Sequence, residues 1–388
     1  MDFQPMKDYM RRLTGWIVPG AVCAVYQNGK RVFFHAEGFS DLENRVPMRG
    51  DELFNLYSCS KITTVTAALQ LYERGFFLLD DPLSDFIPAW GAVRVQTPEG
   101  DLRKPVRPIT MRHLFTMTGG LTYNFNTPAF EKARRLTGGR MDTLRTAECL
   151  AEDPLSFDPG DHWQYSLCHD VLAAAVEAIS GERFADYVRK HIWEPLDIRN
   201  ATYHPTPEET GRIAEQYRDE APTDDIVEMQ KGGFPGQGKI VNVGKGVSHV
   251  LGEGYDSGGA GITAAADDYA RFLYALANGG TGLTGERILS PGAIELLREN
   301  QLTPGLLHDF NWPQLKGYGY GLGVRTTLSR AESGFTGEWG EFGWGGAAGA
   351  TAIVDPEAGL ALFYAEHLLN PHEEFYQPRL RNALYACL

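Results

Sequence analysis

Strand-like sequence occupies both ends of this 388-residue chain, and helix-like sequence fills its middle. Near the N-terminus, the runs AVCAVY at 21–26 and RVFFHA at 31–36 flank Asn28-Gly29, a pair typical of a tight β-hairpin turn. Because paired strands bury an apolar face together, we expect the two ends to share one antiparallel sheet, as in an α+β fold rather than in alternating βαβ units. The late strand-like runs lie at about 319–325, 349–354 and 360–365.

Helical periodicity begins at residue 60. Ile62, Val65, Leu69 and Tyr72 recur at helical spacing before Gly75, so a helix is predicted over about 60–74. The glycine-dense stretch from 231 to 261 is expected to be loop. Further helices are predicted over about 168–180, 183–192, 264–277 and 373–386.

These patterns predict two domains. A sheet domain would combine residues 1–78 with 245–388, and a mostly helical domain would be inserted at 79–244. The expected architecture is therefore an antiparallel sheet flanked by helices, with an inserted mostly helical domain.

The charge and composition of the chain argue against some classes of binding partner. The chain has 36 Lys and Arg against 50 Asp and Glu, and the net charge of −14 disfavours nucleic acids and anionic membranes. No apolar run is long enough for a membrane span, and the N-terminal MDFQPMKDYMRRLTGW lacks the apolar core of a secretory signal. Five cysteines without paired spacing fit a reducing compartment, so we expect a cytoplasmic protein. The sequence leaves the oligomeric state open.

The stretch LYSCSKITT at 56–64 places three possible nucleophiles, Ser58, Cys59 and Ser60, at the start of the predicted helix. Only Ser58 has a lysine three residues on, and since positions i and i+3 share a helix face, Lys61 can touch it. A desolvated lysine has a lowered pKa and can remove the proton of a serine, while N–H groups at a helix start can stabilise an oxyanion. Cys59 is interpreted as a small packed residue. Ser-x-x-Lys is too short a motif to decide the function alone.

Two more stretches could complete such a site. In WQYSLCHDVL at 163–172, Tyr165 precedes a helix and could share a proton with the serine, or it could be a buried structural tyrosine. In EFGWGGAAG at 341–349, glycines on a strand would let a substrate approach a backbone N–H closely, or they could form a bulge or turn.

Taken in order, these motifs resemble those of the serine β-lactamase and penicillin-binding-protein superfamily. The branch that looks most similar is the class C β-lactamase-like serine hydrolases, and within it the family VIII carboxylesterases. Stretches such as ITMRHLFTMTGGL at 109–121 and FDPGDHWQYS at 157–166 extend the resemblance over nearly the whole chain. The three matching motifs are Ser58-x-x-Lys61, Tyr165-Ser166-Leu167 and Trp344-Gly345-Gly346.

The resemblance implies a role for each matching residue. Ser58 would be the acylated nucleophile, and Lys61 and Tyr165 would form the proton-transfer pair, with the choice of base left open. The backbone N–H groups of Ser58 and Ala347 would form the oxyanion hole. The site would lie in the cleft between the sheet and the helical domain, and no cofactor is expected.

The chain departs from its lactam-cleaving relatives at two positions. They carry asparagine where this chain has Leu167, and lysine or histidine where it has Trp344. Neither residue offers a partner to the amide or carboxylate of a β-lactam, which favours ester hydrolysis. His169, one helical turn after Tyr165, is expected to have a structural or supporting role. Substrate contacts are expected from Trp344, Gly345, Gly346, Leu167 and Tyr123.

Other enzyme classes find less support. GFPGQGKI at 233–240 has the spacing of a phosphate-binding loop, but Ile240 replaces the Ser or Thr that would hold magnesium. No Gly-x-Ser-x-Gly elbow occurs, and the histidines lack metal-ligand spacing, so no metal is expected.

The sequence therefore predicts a serine hydrolase that cleaves a small-molecule ester or amide through an acyl-enzyme on Ser58. The alternatives within the superfamily are a β-lactamase, a D-amino-acid peptidase and an acyltransferase. The alternative of another class is a non-catalytic relative that binds a ligand or serves as a scaffold.

Overall fold

Residues 1–220, 240–247 and 249–388 are described by the computed structural model of the chain. The glycine-rich segment at 233–240 lies outside these residues except for Ile240, and so does the first part of the loop expected at 231–261. In chain order the strands are β1 (Gly20–Gln27), β2 (Lys30–Asp41), β3 (Val46–Pro47), β4 (Leu53–Asn55), β5 (Val95–Gln96), β6 (Leu102–Arg103), β7 (Ala201–Thr202), β8 (Tyr217–Asp219), β9 (Ile240–Asn242), β10 (Thr263–Ala265), β11 (Tyr318–Tyr320), β12 (Arg325–Thr327), β13 (Phe342–Gly345), β14 (Thr351–Asp355), β15 (Leu360–Glu366) and β16 (Leu368–Leu369).

Eight of these strands form one antiparallel sheet in the order β11-β12-β13-β14-β15-β1-β2-β3. The sheet therefore joins the start of the chain to its end through the pairing of β1 with β15. This confirms the predicted α+β architecture, whereas the domain boundaries stay a prediction. The β1–β2 turn uses positive φ at Asn28 (49°) and Gly29 (80°), as a tight hairpin with right-handed strand twist requires.

Helices cover both faces of this sheet. In chain order they are α1 (Gln4–Thr14), α2 (Ser60–Glu73), α3 (Met111–Phe115), α4 (Pro128–Leu136), α5 (Thr143–Leu150), α6 (Cys168–Ser180), α7 (Phe184–Val188), α8 (Pro207–Arg212), α9 (Ala266–Ala277), α10 (Pro291–Arg298), α11 (Pro304–Asp309), α12 (Arg330–Ser333) and α13 (Glu373–Tyr385). Because successive strand residues point to opposite faces, Val22 and Ala24 of β1 enter the core beneath α9, while Cys23 and Val25 enter the core beneath α1 and α13.

The late strand-like run at 319–325 was wrongly predicted as a single strand. It holds two short strands, β11 and β12, joined by a tight turn in which the Gly321 N–H donates to the Val324 carbonyl at 2.7 Å. Gly323 in this turn has φ of 85°, a conformation that only glycine adopts readily. The helix predicted at 183–192 is also divided, since α7 passes into a π-helical turn at Arg189–Trp193.

All five cysteines lie in the described residues, where they are buried and unpaired. Across the described ranges, no helix is both long enough and apolar enough to span a membrane.

Candidate active site

A sharp reversal of the backbone presents Ser58 at the start of α2. β4 leads into a 3₁₀ turn at Tyr57–Cys59, and Tyr57 has φ of 46°, a strained value for a non-glycine residue. Of the three possible nucleophiles, Ser58 lines the main cavity among the described residues, and Cys59 and Ser60 do not. Ser60 is buried and its hydroxyl accepts the Ile262 N–H at 3.0 Å, while burial raises the pKa of the Cys59 thiol.

Lys61 is fully buried beneath Ser58. Its Nζ lies 3.3 Å from Ser58 Oγ, 2.8 Å from Tyr123 Oη and 2.7 Å from the Gly259 carbonyl oxygen. Loss of solvent around the ammonium lowers the pKa of Lys61 to about 7, although the nearby Asp170 carboxylate opposes this shift. A substantial fraction of Lys61 is therefore neutral at physiological pH.

Tyr165 stands on the other side of the serine. Its hydroxyl accepts a hydrogen bond from Trp344 Nε1 at 3.0 Å, and the Lys61 Nζ lies 4.5 Å from the centre of its ring. Burial raises the pKa of Tyr165 above its ordinary value, although hydrogen bonds with Ser58 and Trp344 oppose the rise. The phenol therefore keeps its proton while Lys61 can lose one.

The third motif forms the wall beside Ser58. Trp344 and Gly345 lie in β13, and the exposed Ala347 follows in a tight turn, so all three line the cavity with Ser58. Gly346 is buried beneath them, and a Cβ at this position would lie 2.3 Å from the Leu56 carbonyl oxygen. A glycine is therefore required for the turn to approach the start of α2.

Three of the predicted substrate contacts, Gly346, Tyr123 and Leu167, are not among the residues that line this cavity. Tyr123 is not among the cavity-lining residues, and its hydroxyl instead accepts a hydrogen bond from Lys61. Leu167 is only 3% exposed and packs in the core before α6, where its N–H donates to the Thr122 carbonyl. The expected substrate contact of Leu167 is corrected, because its side chain is buried in protein. That of Tyr123, which is half-buried and lies beside Lys61, stays a prediction.

His169 lies behind the site as a neutral, buried side chain. Its Nε2 lies 3.2 Å from the Phe115 carbonyl oxygen, and burial together with the Lys61 charge lowers its pKa to about 3. A proton is therefore held poorly here, which supports the expected structural role over one as a base.

Asp170 was missed by the sequence reasoning. It is buried, and its Oδ1 accepts hydrogen bonds from Tyr255 Oη at 3.1 Å and Ser257 Oγ at 2.7 Å. Its negative charge favours the protonated form of Lys61. The available signal was an acid inside the apolar run CHDVLAAAVEAIS, where a charge is costly unless it has partners.

The cavity has a volume of about 470 Å³, within the usual range for small-molecule sites. Aromatic and polar side chains share its wall, among them Tyr165, Trp312, Trp344, Gln314, Glu373 and Gln377. Among the residues that the structure describes, no group of His, Cys, Asp and Glu side chains is arranged to hold a metal ion.

Comparisons with known proteins identify the family of the chain. The family profile described as Beta-lactamase matches residues 11–386. Esterase EstB of Burkholderia gladioli is 33% identical over 384 residues, which cover 95% of this chain and 91% of that protein. Lovastatin esterase of Penicillium rubens is 30% identical over 368 residues, with 88% and 86% covered.

A solved structure gives the same result for the fold. EstCE1, described as a hydrolase with promiscuous acyltransferase activity, matches with a TM-score of 0.77 and 25% identity over 99% of each chain. The resemblance inferred from the three motifs is thereby confirmed, and the chain belongs to the beta-lactamase family.

Proposed function

We propose that this chain hydrolyses esters of small molecules through an acyl-enzyme on Ser58. The observation that carries the proposal is the buried Lys61 Nζ, 3.3 Å from Ser58 Oγ at the wall of an open cavity. The class of enzyme, a carboxylesterase-like serine hydrolase, is that of the named relatives EstB and lovastatin esterase.

Neutral Lys61 is the proposed base. A neutral amine has two N–H donors and one lone pair. The Gly259 carbonyl and Tyr123 Oη can accept the two donors, which leaves the lone pair for the Ser58 hydroxyl. Tyr123 and Gly259 would thus orient the lysine so that it accepts the serine proton during attack on the ester carbonyl.

The negative charge that develops on the carbonyl oxygen needs donors. The N–H groups of Ser58 and Ala347 are the proposed oxyanion hole, because both residues line the same cavity at the start of α2 and in the turn after β13. As the tetrahedral intermediate breaks down, Tyr165 would give its proton to the departing alcohol and regain one from Lys61. Water then attacks the acyl-enzyme with Lys61 again as base, and Lys61 passes the proton to the departing Ser58 Oγ as the acid is released.

Acyl transfer is the second candidate. The wall that holds Ser58 also offers two broad aromatic surfaces, Trp312 and Trp344, against which an acceptor alcohol could pack in place of water. EstCE1 is described as having such an activity. The test is product analysis of a butyrate ester with and without added n-butanol, since formation of butyl butyrate would reveal transfer.

The decisive experiment compares hydrolysis of p-nitrophenyl acetate and butyrate by the wild type, Ser58→Ala and Cys59→Ala. We expect turnover by the wild type and by C59A, and a loss of at least about a thousandfold in S58A, because removal of the nucleophile abolishes covalent catalysis. A fluorophosphonate should label Ser58 in the wild type, as read by peptide mass spectrometry. Equal turnover by S58A and wild type would refute the proposal, and absence of both turnover and label would favour the non-catalytic alternative.

A cytoplasmic location is also a proposal. It is supported by five buried cysteines that remain unpaired, which is the usual state in a reducing compartment.

A further inference from the structure

The charged side chains on the cavity wall differ in whether they have a partner of opposite charge. Arg325 forms a double ion pair with buried Glu341, with both N···O distances at 2.7 Å. His372 Nε2 lies 2.8 Å from Asp219 Oδ2. Glu373 has a different kind of partner, since its Oε2 accepts a hydrogen bond from the uncharged Gln314 at 2.8 Å. In the described part of the chain, Arg325 and His372 are the basic side chains on this wall, and both already face a carboxylate.

Glu373 lies next to β13, the strand that leads to Ala347. It begins α13, and Gln377 follows one helical turn later on the same face. A Cβ added to Gly345 would lie 3.1 Å from Glu373 Oε1 and 2.5 Å from Gln377 Nε2. The side chains of α13 therefore occupy the space that a side chain on β13 would fill, two residues before Ala347.

Aromatic rings line the same cavity as this carboxyl group. The rings of Tyr165 and Trp312 are 5.2 Å apart between centres, and those of Trp312 and Trp344 are 6.2 Å apart. All three line the same cavity as Glu373. Ring faces attract cations, and the combination of aromatic faces with a carboxylate is a chemistry that recognises substituted ammonium groups.

We propose that the cavity selects substrates that carry a cationic nitrogen, which Glu373 holds against the rings of Trp312 and Trp344. This inference rests on the proposed esterase function and specifies its substrate class as esters with an ammonium group in the acyl or the alcohol part. The net charge of −14 would in addition favour the approach of cations.

The ionisation of Glu373 is compatible with this role. Burial, together with the neighbouring Glu374, raises the pKa of Glu373 to about 7, while the hydrogen bond from Gln314 opposes the rise. A cation bound next to Glu373 would stabilise its ionised form and so gain a full charge partner.

The test uses pairs of substrates that differ in charge and not in shape. Acetylcholine is compared with 3,3-dimethylbutyl acetate, and p-nitrophenyl 4-(trimethylammonio)butanoate with p-nitrophenyl 5,5-dimethylhexanoate. For at least one pair, we expect Glu373→Gln to reduce the ratio of kcat/KM for the cationic over the neutral ester by about tenfold or more.

Glu208→Gln is the matched control, because Glu208 is exposed on α8 and makes no part of the cavity wall. It removes the same charge and should leave both ratios unchanged. Trp312→Leu is a second, independent variant, and it should lower the same ratio through loss of a ring face. If E373Q does not fold by circular dichroism, this variant alone decides. Ratios that are unchanged in the folded variants would overturn the inference.

Failure of the inference can be distinguished from failure of the proposed function. Binding of choline and of 3,3-dimethylbutan-1-ol to Ser58→Ala can be measured by calorimetry whether or not the wild type turns over esters. A choline affinity that falls about tenfold on adding Glu373→Gln, with the neutral alcohol unaffected, would support the cation site by itself. If the wild type hydrolyses neutral esters but E373Q leaves the choline affinity unchanged, the esterase function stands and the cation site is refuted.

Discussion

Lys61 sits where an ammonium group is costly, since no solvent reaches it and its nearest contacts are two hydroxyl groups and a carbonyl oxygen. That environment is what turns an ordinarily charged side chain into a possible base. The same environment explains why the phenols of Tyr123 and Tyr165 keep their protons, because burial penalises the charged form of every group and raises the pKa of a phenol.

The lowered pKa of Lys61 predicts how kcat/KM depends on pH. With neutral Lys61 as the proposed base and its pKa at about 7, kcat/KM for a neutral ester should rise roughly tenfold per pH unit below 7 and level off above 8. Asp170→Asn removes a charge that favours protonated Lys61, so the inflection should move to lower pH.

Glu373 also titrates near this pH, and E373Q therefore serves as the control. The inflection should persist in E373Q when a neutral ester is the substrate. Its disappearance there, or a shift to higher pH in D170N, would argue against Lys61 as the base.

At the scale of elements, two neighbouring glycines show how closely β13 must approach the start of α2. A Cβ at Gly346 would meet the backbone oxygen of Leu56 at 2.3 Å, whereas one at Gly345 would meet the ends of flexible side chains. We expect Gly346→Ala to lower kcat/KM for p-nitrophenyl butyrate roughly a hundredfold, as loss of an oxyanion donor does, and Gly345→Ala to lower it less than tenfold. Similar losses in the two variants, both checked for folding by thermal melts, would contradict this account of the turn.

Elements with a strong local signal were predictable from the sequence. α2 ends within one residue of the predicted position, and α6 matches the predicted range and stops at Gly181, whose φ of 72° suits glycine. The strands β11 and β12 were merged in prediction because their turn depends on one glycine in a run of apolar and aromatic residues. The hydrogen bond of Lys61 with Tyr123 and those of Tyr255 and Ser257 with Asp170 were not predictable, since they join elements far apart in the chain that only tertiary packing brings together.

At the scale of the whole molecule, the core encloses every thiol. Burial raises the pKa of Cys23, Cys59 and Cys149, and that of Cys168 to about 11. Because the thiolate is the reactive form, we expect the native protein to react with Ellman's reagent far more slowly than the unfolded protein. In guanidinium chloride, all five thiols should react and release five equivalents of thionitrobenzoate. Rapid reaction of one thiol in the native state would show that part of this core opens readily.

The pairing of β1 with β15 has a consequence for biosynthesis. Ala21 pairs with Glu366 and Gln27 with Leu360, so β1 cannot complete its pairing until β15 has left the ribosome. At about 5–20 residues per second, the wait lasts tens of seconds, during which one edge of the N-terminal hairpin has no native neighbour. The wall formed by β13 and α13 also arrives late, so a nascent chain exposes Ser58 long before its cavity exists. The proposed nucleophile can therefore act only after β13 and α13 have been made, and products that end before β13 would be inert.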